Sequence, residues 1–268
     1  MVLFEIRDGA TNENRLMGYL FYYERSRRFY AELLKDLDEW TAPFIFGGFV
    51  KRGIYSIDSE WTMRFVRQRI IPSDRQNLGS ILKANKLREY DEYKLLQISE
   101  GRCAQDELFL VKCKESDLVS EIQDRLREKV RDVLTMEDRK IMVFFMNDTS
   151  RVISIGNMFA GDRRFANIFR DARLFQNVKV SPGGNGIEWG EERFISAEIL
   201  YHAGEKALIN YNDLLTFVRK RVIDTTEAAG LLNCSRQYIG QLSSKGRIKP
   251  LKSGSNNSLF LKCDIEKE

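Results

Sequence analysis

The first hundred residues combine continuous apolar runs with stretches in which apolar residues recur every three or four positions. Continuous runs at 2–6 and 16–23 predict β-strands, whereas the spacing at 27–40 predicts an amphipathic helix. The run at 44–50 contains two glycines and predicts a bent strand. The aromatic residues of these runs are expected to fill a core.

Three further helices are predicted before the middle of the chain. Pro72 suits the first turn of a helix at 72–82, and another helix covers 89–98. A third covers 115–134, where one apolar stripe comprises Leu118, Ile122, Leu126, Val130 and Val133. We interpret it as a connector packed on a core, and a coiled coil with a partner is the alternative.

The next part of the chain predicts a small α+β module. Its predicted elements are a strand at 141–146, a turn at 147–148, a strand at 152–155, a helical stretch at 159–169 and a hairpin at 178–189. The hairpin turn contains Gly183, Gly184 and Gly186. These glycines lie between two strands and lack P-loop spacing, so they predict a turn rather than a phosphate cradle.

Two short helices joined by a tight turn are predicted near the C-terminal end. Asp224 and Glu227 form a capping-box pair before an apolar stretch, and Ser235 caps the second helix after the turn at 233–234. Ile239 and Leu242, three positions apart, share one buried side of that helix. This arrangement is typical of a helix-turn-helix unit, whose second helix meets base edges in the major groove.

A β-hairpin is predicted after the second helix. Gly246 ends the helix, Ile248 begins a strand, and residues 251–261 read as two strands joined by a polar loop. Such a hairpin would form a wing beside the two helices. Arg236 can pair with guanine O6 and N7, and Gln237 or Gln241 with adenine N6 and N7.

The stretch TTEAAGLLNCSRQYIGQLSSKGRIKP, with LFLK after it, resembles the winged helix-turn-helix of the MerR and excisionase families. The resemblance covers about a fifth of the chain and implies that the second helix enters the major groove while the wing touches the DNA backbone. It departs from the family in having only a short segment after the wing and no dimerising coil. A helical hairpin that holds another protein is the alternative. The implied DNA-binding residues are Ser235, Arg236, Gln237, Tyr238, Gln241 and Lys245 on the helix, and Lys249, Lys252, Ser253 and Asn256 on the wing.

Charge is distributed unevenly along the chain. The 268 residues carry a net charge of only +4, yet residues 219–268 contain ten Lys or Arg against five Asp or Glu. Phosphates attract such a basic segment, so any polyanion-binding capacity is expected at this end. A hydrophobic content of 43% and a charged content of 31% are ordinary for a globular protein with two or three domains.

Metal, cofactor and nucleophilic chemistry find little support in the residue types. The four cysteines form no C-x-x-C pair and the only histidine is His202, so neither a zinc site nor a disulfide framework is predicted, and no cofactor. Asp74, Glu92 and Lys94 superficially match a magnesium-dependent nuclease, but Glu92 and Lys94 fall in a predicted helix instead of a strand. No segment reads as a signal peptide or membrane span, and a cytoplasmic protein is expected.

Two further resemblances concern the rest of the chain. The segments YSIDSEW, IPSDRQNLGSILKANKL, YDEYKLL and GRCAQDE resemble the small N-terminal subdomain of HipA-type toxins, which implies a docking domain without phosphoryl transfer, since no kinase motif follows. The segment LFQNVKVSPGGNGIEWGEERFISAEIL resembles a small bacterial domain family of unknown function and implies a fold but no activity.

Together these observations predict a multidomain α+β protein with two mixed α+β modules followed by a winged helix-turn-helix. Its predicted divisions are 1–114, a connecting helix at 115–138, a module at 139–204, a linker helix at 205–221 and the DNA-binding domain at 222–268. We expect a sequence-specific double-stranded DNA-binding protein, a bacterial or mobile-element transcriptional regulator, and not an enzyme. The alternative is a toxin–antitoxin interaction protein with an operator-binding tail. The expected partners are duplex DNA, a second copy of the chain and a protein docked on the N-terminal domain.

Overall fold

The computed structural model describes residues 1–10, 13–190, 193–206, 211–254 and 257–268. The strands are β1 Val2–Asp8, β2 Arg15–Tyr23, β3 Arg28–Leu33, β4 Ser56–Ile57, β5 Leu108–Cys113, β6 Val130–Thr135, β7 Lys140–Phe145, β8 Ser150–Ser154, β9 Lys179–Val180, β10 Gly186–Glu188, β11 Phe194–Ser196, β12 Glu205–Lys206, β13 Val222–Asp224 and β14 Leu259–Leu261. The helices are α1 Gly47–Val50, α2 Ser59–Arg67, α3 Leu78–Ala84, α4 Glu92–Ser99, α5 Ser120–Arg127, α6 Ile155–Met158, α7 Ala166–Arg170, α8 Ala172–Gln176, α9 Ala197–His202, α10 Tyr211–Arg221, α11 Thr225–Leu231, α12 Arg236–Ser244 and α13 Lys262–Glu266.

The protein has the predicted multidomain α+β fold, and its contacts divide it into two compact units. The first unit combines Met1–Val130 with Lys179–His202, and the second combines Arg131–Val178 with Ala203–Glu268. These units do not follow the predicted module at 139–204, because its hairpin and α9 group with the N-terminal part of the chain. No helix in the described ranges is long and apolar enough to span a bilayer.

An antiparallel sheet with the order β4-β3-β2-β1-β5 forms the centre of the first unit. Successive side chains of a strand point to opposite faces, and both faces of β2 are covered. Leu20 and Tyr22 join the larger core, in which Phe65 and Leu95 are also buried. Tyr19 and Phe21 pack instead with a smaller cluster that contains Leu118 and Ile122. Coverage of both faces explains the continuous apolar run that predicted this strand.

The predicted helix at 27–40 is wrong, since residues 28–33 form β3. In the sheet Glu32 is 1% exposed and lies between Lys129, with which it forms an ion pair, and Arg125, at 3.2 Å. These cationic partners lie almost a hundred residues further along the chain, so local spacing cannot reveal them. The predicted strand at 44–50 is likewise wrong: it forms a 3₁₀ turn and then α1.

The predicted continuous helix at 115–134 is also corrected. Only residues 120–127 form a helix, α5, and β6 begins at Val130. Five of the six residues of β6 are buried, on both strand faces. Apolar residues on both faces of a buried strand match a helical stripe as readily as a strand. The β-branched residues of VRDVLT favour the strand, and the burial of both faces decides between the two. The helix predicted at 72–82 begins later, at Leu78, and that at 89–98 is confirmed as α4.

The second unit contains a sheet with the order β12-β8-β7-β6. The strands predicted at 141–146 and 152–155, with the turn between them, are confirmed: β7 and β8 pair antiparallel, and Asp148 has a left-handed φ of 60° in their turn. The helical stretch predicted at 159–169 is only partly helical, since α7 begins at Ala166. In the first unit, β9 and β10 pair antiparallel on either side of the predicted glycine turn.

Candidate nucleic-acid interface

The first helix of the predicted helix-turn-helix is α11, and its cap forms as the sequence predicts. The Asp224 carboxylate accepts hydrogen bonds from the backbone N–H groups of Thr226, at 2.7 Å, and Glu227, at 2.8 Å. Glu227 Oε2 in turn accepts from the Asp224 N–H at 2.9 Å. The backbone N–H of Glu227 is the main reason that the pKa of Asp224 is lowered, with a contribution from the Asn257 side chain. The cap therefore favours an ionised carboxylate at the helix start.

The second helix, α12, begins at a second confirmed cap. Ser235 accepts from the Tyr238 N–H at 3.2 Å, and Asn233 in the preceding turn adopts a left-handed φ of 48°. Ile239 and Leu242 are 0% and 3% exposed. The cluster in which they are buried comprises Ile223, Ala228, Ala229, Ile239, Leu242, Ile248, Phe260 and Ile265. The helix ends before Gly246, whose φ is 71°.

The face of α12 opposite its buried residues is polar. Side chains advance by about 100° per residue around a helix, which places Gln237, Gly240, Gln241 and Ser244 opposite the side that carries Ile239 and Leu242. Each of the four is exposed. Arg236, Tyr238 and Lys245 flank this face and are also exposed. The predicted reading residues on α12 therefore lie at the surface along one helix.

The wing is smaller than predicted. Its second limb, β14, pairs antiparallel with β13, the strand before α11, with Ile223 opposite Phe260. The first limb is one bridge, in which the N–H of Leu259 donates to the carbonyl of Lys252 at 2.9 Å. The strand predicted to begin at Ile248 does not form. Ile248 is 2% exposed and packs in the apolar cluster of the two helices.

The predicted wing residues separate into two groups. Lys249, Lys252 and Ser253 are exposed on the chain between α12 and β14. Asn256 lies outside the described residues. A neighbouring residue that the sequence did not single out, Asn257, anchors the returning limb. Its Oδ1 accepts from the Thr225 N–H at 3.0 Å, while its Nδ2 donates to the Asp224 carboxylate at 3.1 Å.

Asn257 thus joins the base of the wing to the start of α11. Thr225 adds a second pair of contacts, because its hydroxyl donates to the carbonyl of Ser258 at 3.3 Å and accepts from the Ser258 N–H at 3.0 Å. These bonds satisfy backbone groups at a helix start, which lack partners inside the helix. No sequence signal distinguished Asn257 from the other polar residues of its loop.

The acidic side chains of residues 222–268 are engaged inside the protein. Asp224 and Glu227 cap α11, and the remaining pairs are Asp264 with Lys267 at 3.8 Å, Glu266 with Lys262 at 3.7 Å and Glu268 with Arg247 at 2.5 Å. Within the described ranges, Lys245, Lys249 and Lys252 make no ion pair. The cations at the end of α12 and on the wing therefore keep their charge available for an anionic partner.

The helix before this module, α10, packs within the second unit. The predicted linker helix at 205–221 includes residues 207–210, which lie outside the described ranges; the described helix begins at Tyr211. The ring centres of Phe217 and of Phe144 on β7 lie 5.2 Å apart, and Arg221 forms an ion pair with Asp132 of β6 at 3.3 Å. Arg221 also donates to the Val133 carbonyl. Asp132 was not among the predicted functional residues, because an aspartate within an apolar stripe is typical of a solvent-exposed position.

The other candidate chemistries occupy separate places. Asp74 lies in the turn before α3, whereas Glu92 and Lys94 lie in the first turn of α4, and Lys94 faces Asp91 at 3.7 Å. His202 ends α9. Among the residues that the structure describes, no group of three His, Cys, Asp or Glu could hold a metal ion.

Comparison of the chain with family models, curated proteins and solved structures gives no match. The likenesses to MerR and excisionase proteins, to HipA-type toxins and to the small bacterial domain family therefore stay predictions from the residues.

Proposed function

We propose that residues 222–268 form a winged helix-turn-helix that binds duplex DNA with sequence specificity. The observation that carries the proposal is the pair of capped helices, α11 and α12, held by a common apolar cluster while the opposite face of α12 is polar and exposed. A helix presented in this way fits the major groove. The proposed activity is binding, needs no catalytic group, and belongs to a cytoplasmic transcriptional regulator of bacterial or mobile-element origin.

The module would make two kinds of contact with DNA, one with base edges and one with phosphates. Arg236, in the first turn of α12, can form a forked pair of hydrogen bonds with guanine, and Gln237 or Gln241 can do so with adenine. Lys245, Lys249 and Lys252 would neutralise phosphates, which gives affinity for any sequence. One small module buries little surface, so useful specificity calls for two half-sites and a second copy of the chain.

A second role, docking of a protein partner on the first unit, is favoured by two exposed aromatic residues. Trp40 and Phe44 are 85% and 98% exposed. The Asp38 carboxylate fixes their loop by accepting from the N–H groups of Trp40, at 2.9 Å, and Thr41, at 2.8 Å. Large aromatic side chains on a rigid loop are common anchors of protein interfaces. Trp40→Ser with Phe44→Ser should leave DNA binding intact and should abolish the binding of any protein that co-purifies with the wild-type chain, as measured by comparing the two pull-downs.

The DNA proposal is tested with the full-length chain. A preferred site is first selected from random duplexes, and binding of Arg236→Ala and Lys252→Ala is then measured on that site and on a scrambled one across a salt series. Arg236→Ala should cost about 1–3 kcal/mol on the preferred site and much less on the scrambled site. Lys252→Ala should weaken both alike and reduce the salt slope by about one unit.

Lys267→Ala is the matched control, because it removes the same charge from a lysine that faces Asp264 on α13. It should change neither the affinity nor the salt slope appreciably. Equal losses on both sequences for Arg236→Ala would show that α12 does not read bases, and no selected sequence at all would refute specific binding. One protein per site, with a monomer in light scattering both free and bound, would remove the second copy from the proposal.

A further inference from the structure

A cleft of about 340 Å³ opens in the first unit, far along the chain from the module proposed to bind DNA. Its walls come from the segment after α2, from α4 and from the loop that follows α4. Clefts that hold small molecules begin at about 300 Å³ and combine apolar walls with a few fixed polar groups. The DNA-binding proposal makes no use of this cleft.

One wall carries a buried arginine that the protein holds in place. The Arg69 side chain is 1% exposed, its Nη2 is hydrogen-bonded to Asp106, and its Nη1 donates to the Phe65 carbonyl at 3.3 Å. Its guanidinium lies 3.7 Å from the centre of the Phe65 ring. Within the described residues the buried Nε–H has no acceptor. These contacts fix the guanidinium as part of the wall, with both terminal nitrogens already engaged, so the ligand would have to be met by other groups.

The charge of the cleft is positive. Besides Arg69, the lining includes Arg75 and Arg102, both exposed at its edge. Among the lining residues, all of which fall in the described range 13–190, none is Asp or Glu. Asp106 offsets the charge of Arg69, so the excess comes from the two exposed arginines. Arg102 faces Glu100 at 3.8 Å, but Glu100 is 71% exposed and competes weakly.

The rest of the lining is largely apolar. Ile70 and Leu95 are 8% and 3% exposed, whereas Ile98 on α4 is 49% exposed although it borders the same cleft. Pro72 and Ile71 extend this surface. An exposed isoleucine beside two arginines suits a ligand with an apolar body and an anionic end.

We infer that this cleft binds a small organic carboxylate whose apolar body covers Ile98 and Ile71 while its carboxylate meets Arg75 and Arg102. A carboxylate matches the forked donors of arginine. A cation would be repelled by the two exposed arginines, and a neutral ligand would gain no charge-assisted hydrogen bond from them.

Cys103 provides a reporter inside the cleft. It lines the cavity, is partly exposed, and its Sγ lies 3.5 Å from Asp106 Oδ1. A molecule bound there would shield this thiol from alkylation. The other cysteines do not line the cleft, so peptide mass spectrometry can distinguish a local effect from a general one.

The experiment uses the full-length protein and four probes. Hexanoate, hexan-1-ol and hexylamine share a six-carbon chain and differ in the end group, whereas acetate keeps the carboxylate without the long apolar chain. Calorimetry and protection of Cys103 from iodoacetamide are the two readouts. We expect saturable binding of hexanoate with a Kd of about 1 mM or tighter, Cys103 protection by hexanoate, and binding at least about tenfold weaker for the other three. Inorganic phosphate is added separately and should not protect Cys103.

Variants of the exposed arginines test the inference without disturbing the buried Arg69. Arg75→Ala and Arg102→Ala should each weaken hexanoate binding about fivefold or more, whereas Arg67→Ala, which removes a charge from α2 outside the lining, should not. Hexan-1-ol binding as tightly as hexanoate, phosphate protecting Cys103, equal effects of all three variants, or no binding below about 10 mM would each overturn the inference.

Discussion

The Asp132 carboxylate and the Arg221 guanidinium form an ion pair of 3.3 Å in which the side chains are only 8% and 17% exposed. Asp132 lies on β6 and Arg221 is the last residue of α10, immediately before the strand that leads into the proposed DNA-binding module. Burial raises the pKa of Asp132, and the charge of Arg221 opposes that rise. The pair joins the end of α10 to the edge of the sheet in the second unit.

Removing only the cation of this pair should destabilise the second unit. Arg221→Met leaves a buried carboxylate without its cation and should cost about 3 kcal/mol at pH 7.5. The double variant Asp132→Asn with Arg221→Met should lose less stability, because it leaves no charged group buried. Since all three tryptophans lie in the first unit, fluorescence does not follow this change, and hydrogen exchange of peptides from 130–145 is the suitable measurement.

The loss should depend on pH in a defined direction. A folded-state pKa above the unfolded value means that the contribution of Asp132 favours folding at low pH and is lost as the pH rises through the folded pKa. Without Arg221 that pKa rises further, so the deficit of Arg221→Met should be largest near neutrality and shrink on acidification. Lys220→Met, which removes a neighbouring cation that donates to the Thr135 carbonyl at 3.4 Å, is the control and should show no such pH dependence.

Two helical glycines give a matched pair of stabilising changes. A Cβ at Gly230 in α11 or Gly240 in α12 would meet nothing within 4 Å, so Ala at either position should stabilise the fold by roughly 0.5–1 kcal/mol. Only Gly240 lies on the polar face of α12. Gly240→Ala should therefore weaken DNA binding while Gly230→Ala leaves it nearly unchanged, as compared by mobility shift and thermal unfolding. Unchanged DNA affinity of Gly240→Ala would show that DNA does not contact the polar face of α12.

Asn257 offers a test of the wing. Asn257→Ala removes the bonds to Thr225 and Asp224 and should lower the melting temperature of the second unit by about 2–4 °C. Asn257→Asp keeps an acceptor for the Thr225 N–H but places a second carboxylate beside Asp224. Its melting temperature should therefore fall further than that of Asn257→Ala at pH 7, and the difference should shrink as the pH falls and the carboxylates become protonated. Calorimetry at pH 7 and at about pH 4 measures the melting temperatures of both variants. Equal melting temperatures for the two variants at both pH values would contradict the contact between Asn257 and Asp224.

Thiol reactivity should follow burial. Burial raises the pKa of Cys113 to about 11 and that of Cys263 to about 12. Because the thiolate is the nucleophile, alkylation at pH 8 should be about a hundredfold slower at Cys113 and about a thousandfold slower at Cys263 than in the unfolded chain. Timed labelling with peptide mass spectrometry compares native and urea-unfolded protein. Rapid native labelling of Cys263 would show that its surroundings open readily.

The winged module was the most predictable part of the chain because its signals are local. Asp224, Glu227 and Ser235 cap helices through backbone groups two or three residues away, and a turn residue such as Asn233 needs no distant partner. The spacing of Ile239 and Leu242 likewise fixes one face of one helix. For these reasons the two helices, their caps and the exposed position of Arg236 could be predicted from the sequence.

Tertiary structure decided the features whose partners are distant. Residues 28–33 form a strand because they pair within a sheet and bury Glu32 beside Lys129, and residues 130–135 do so because both faces of β6 are covered. The anchoring of Asn257 and the ion pair between Asp132 and Arg221 depend on contacts about 30 and 90 residues apart, which local patterns do not carry. The sequence by itself determined which residues begin, end and face outward on the C-terminal helices, whereas long-range pairing and burial determined the sheets and the contacts that hold those helices in the second unit.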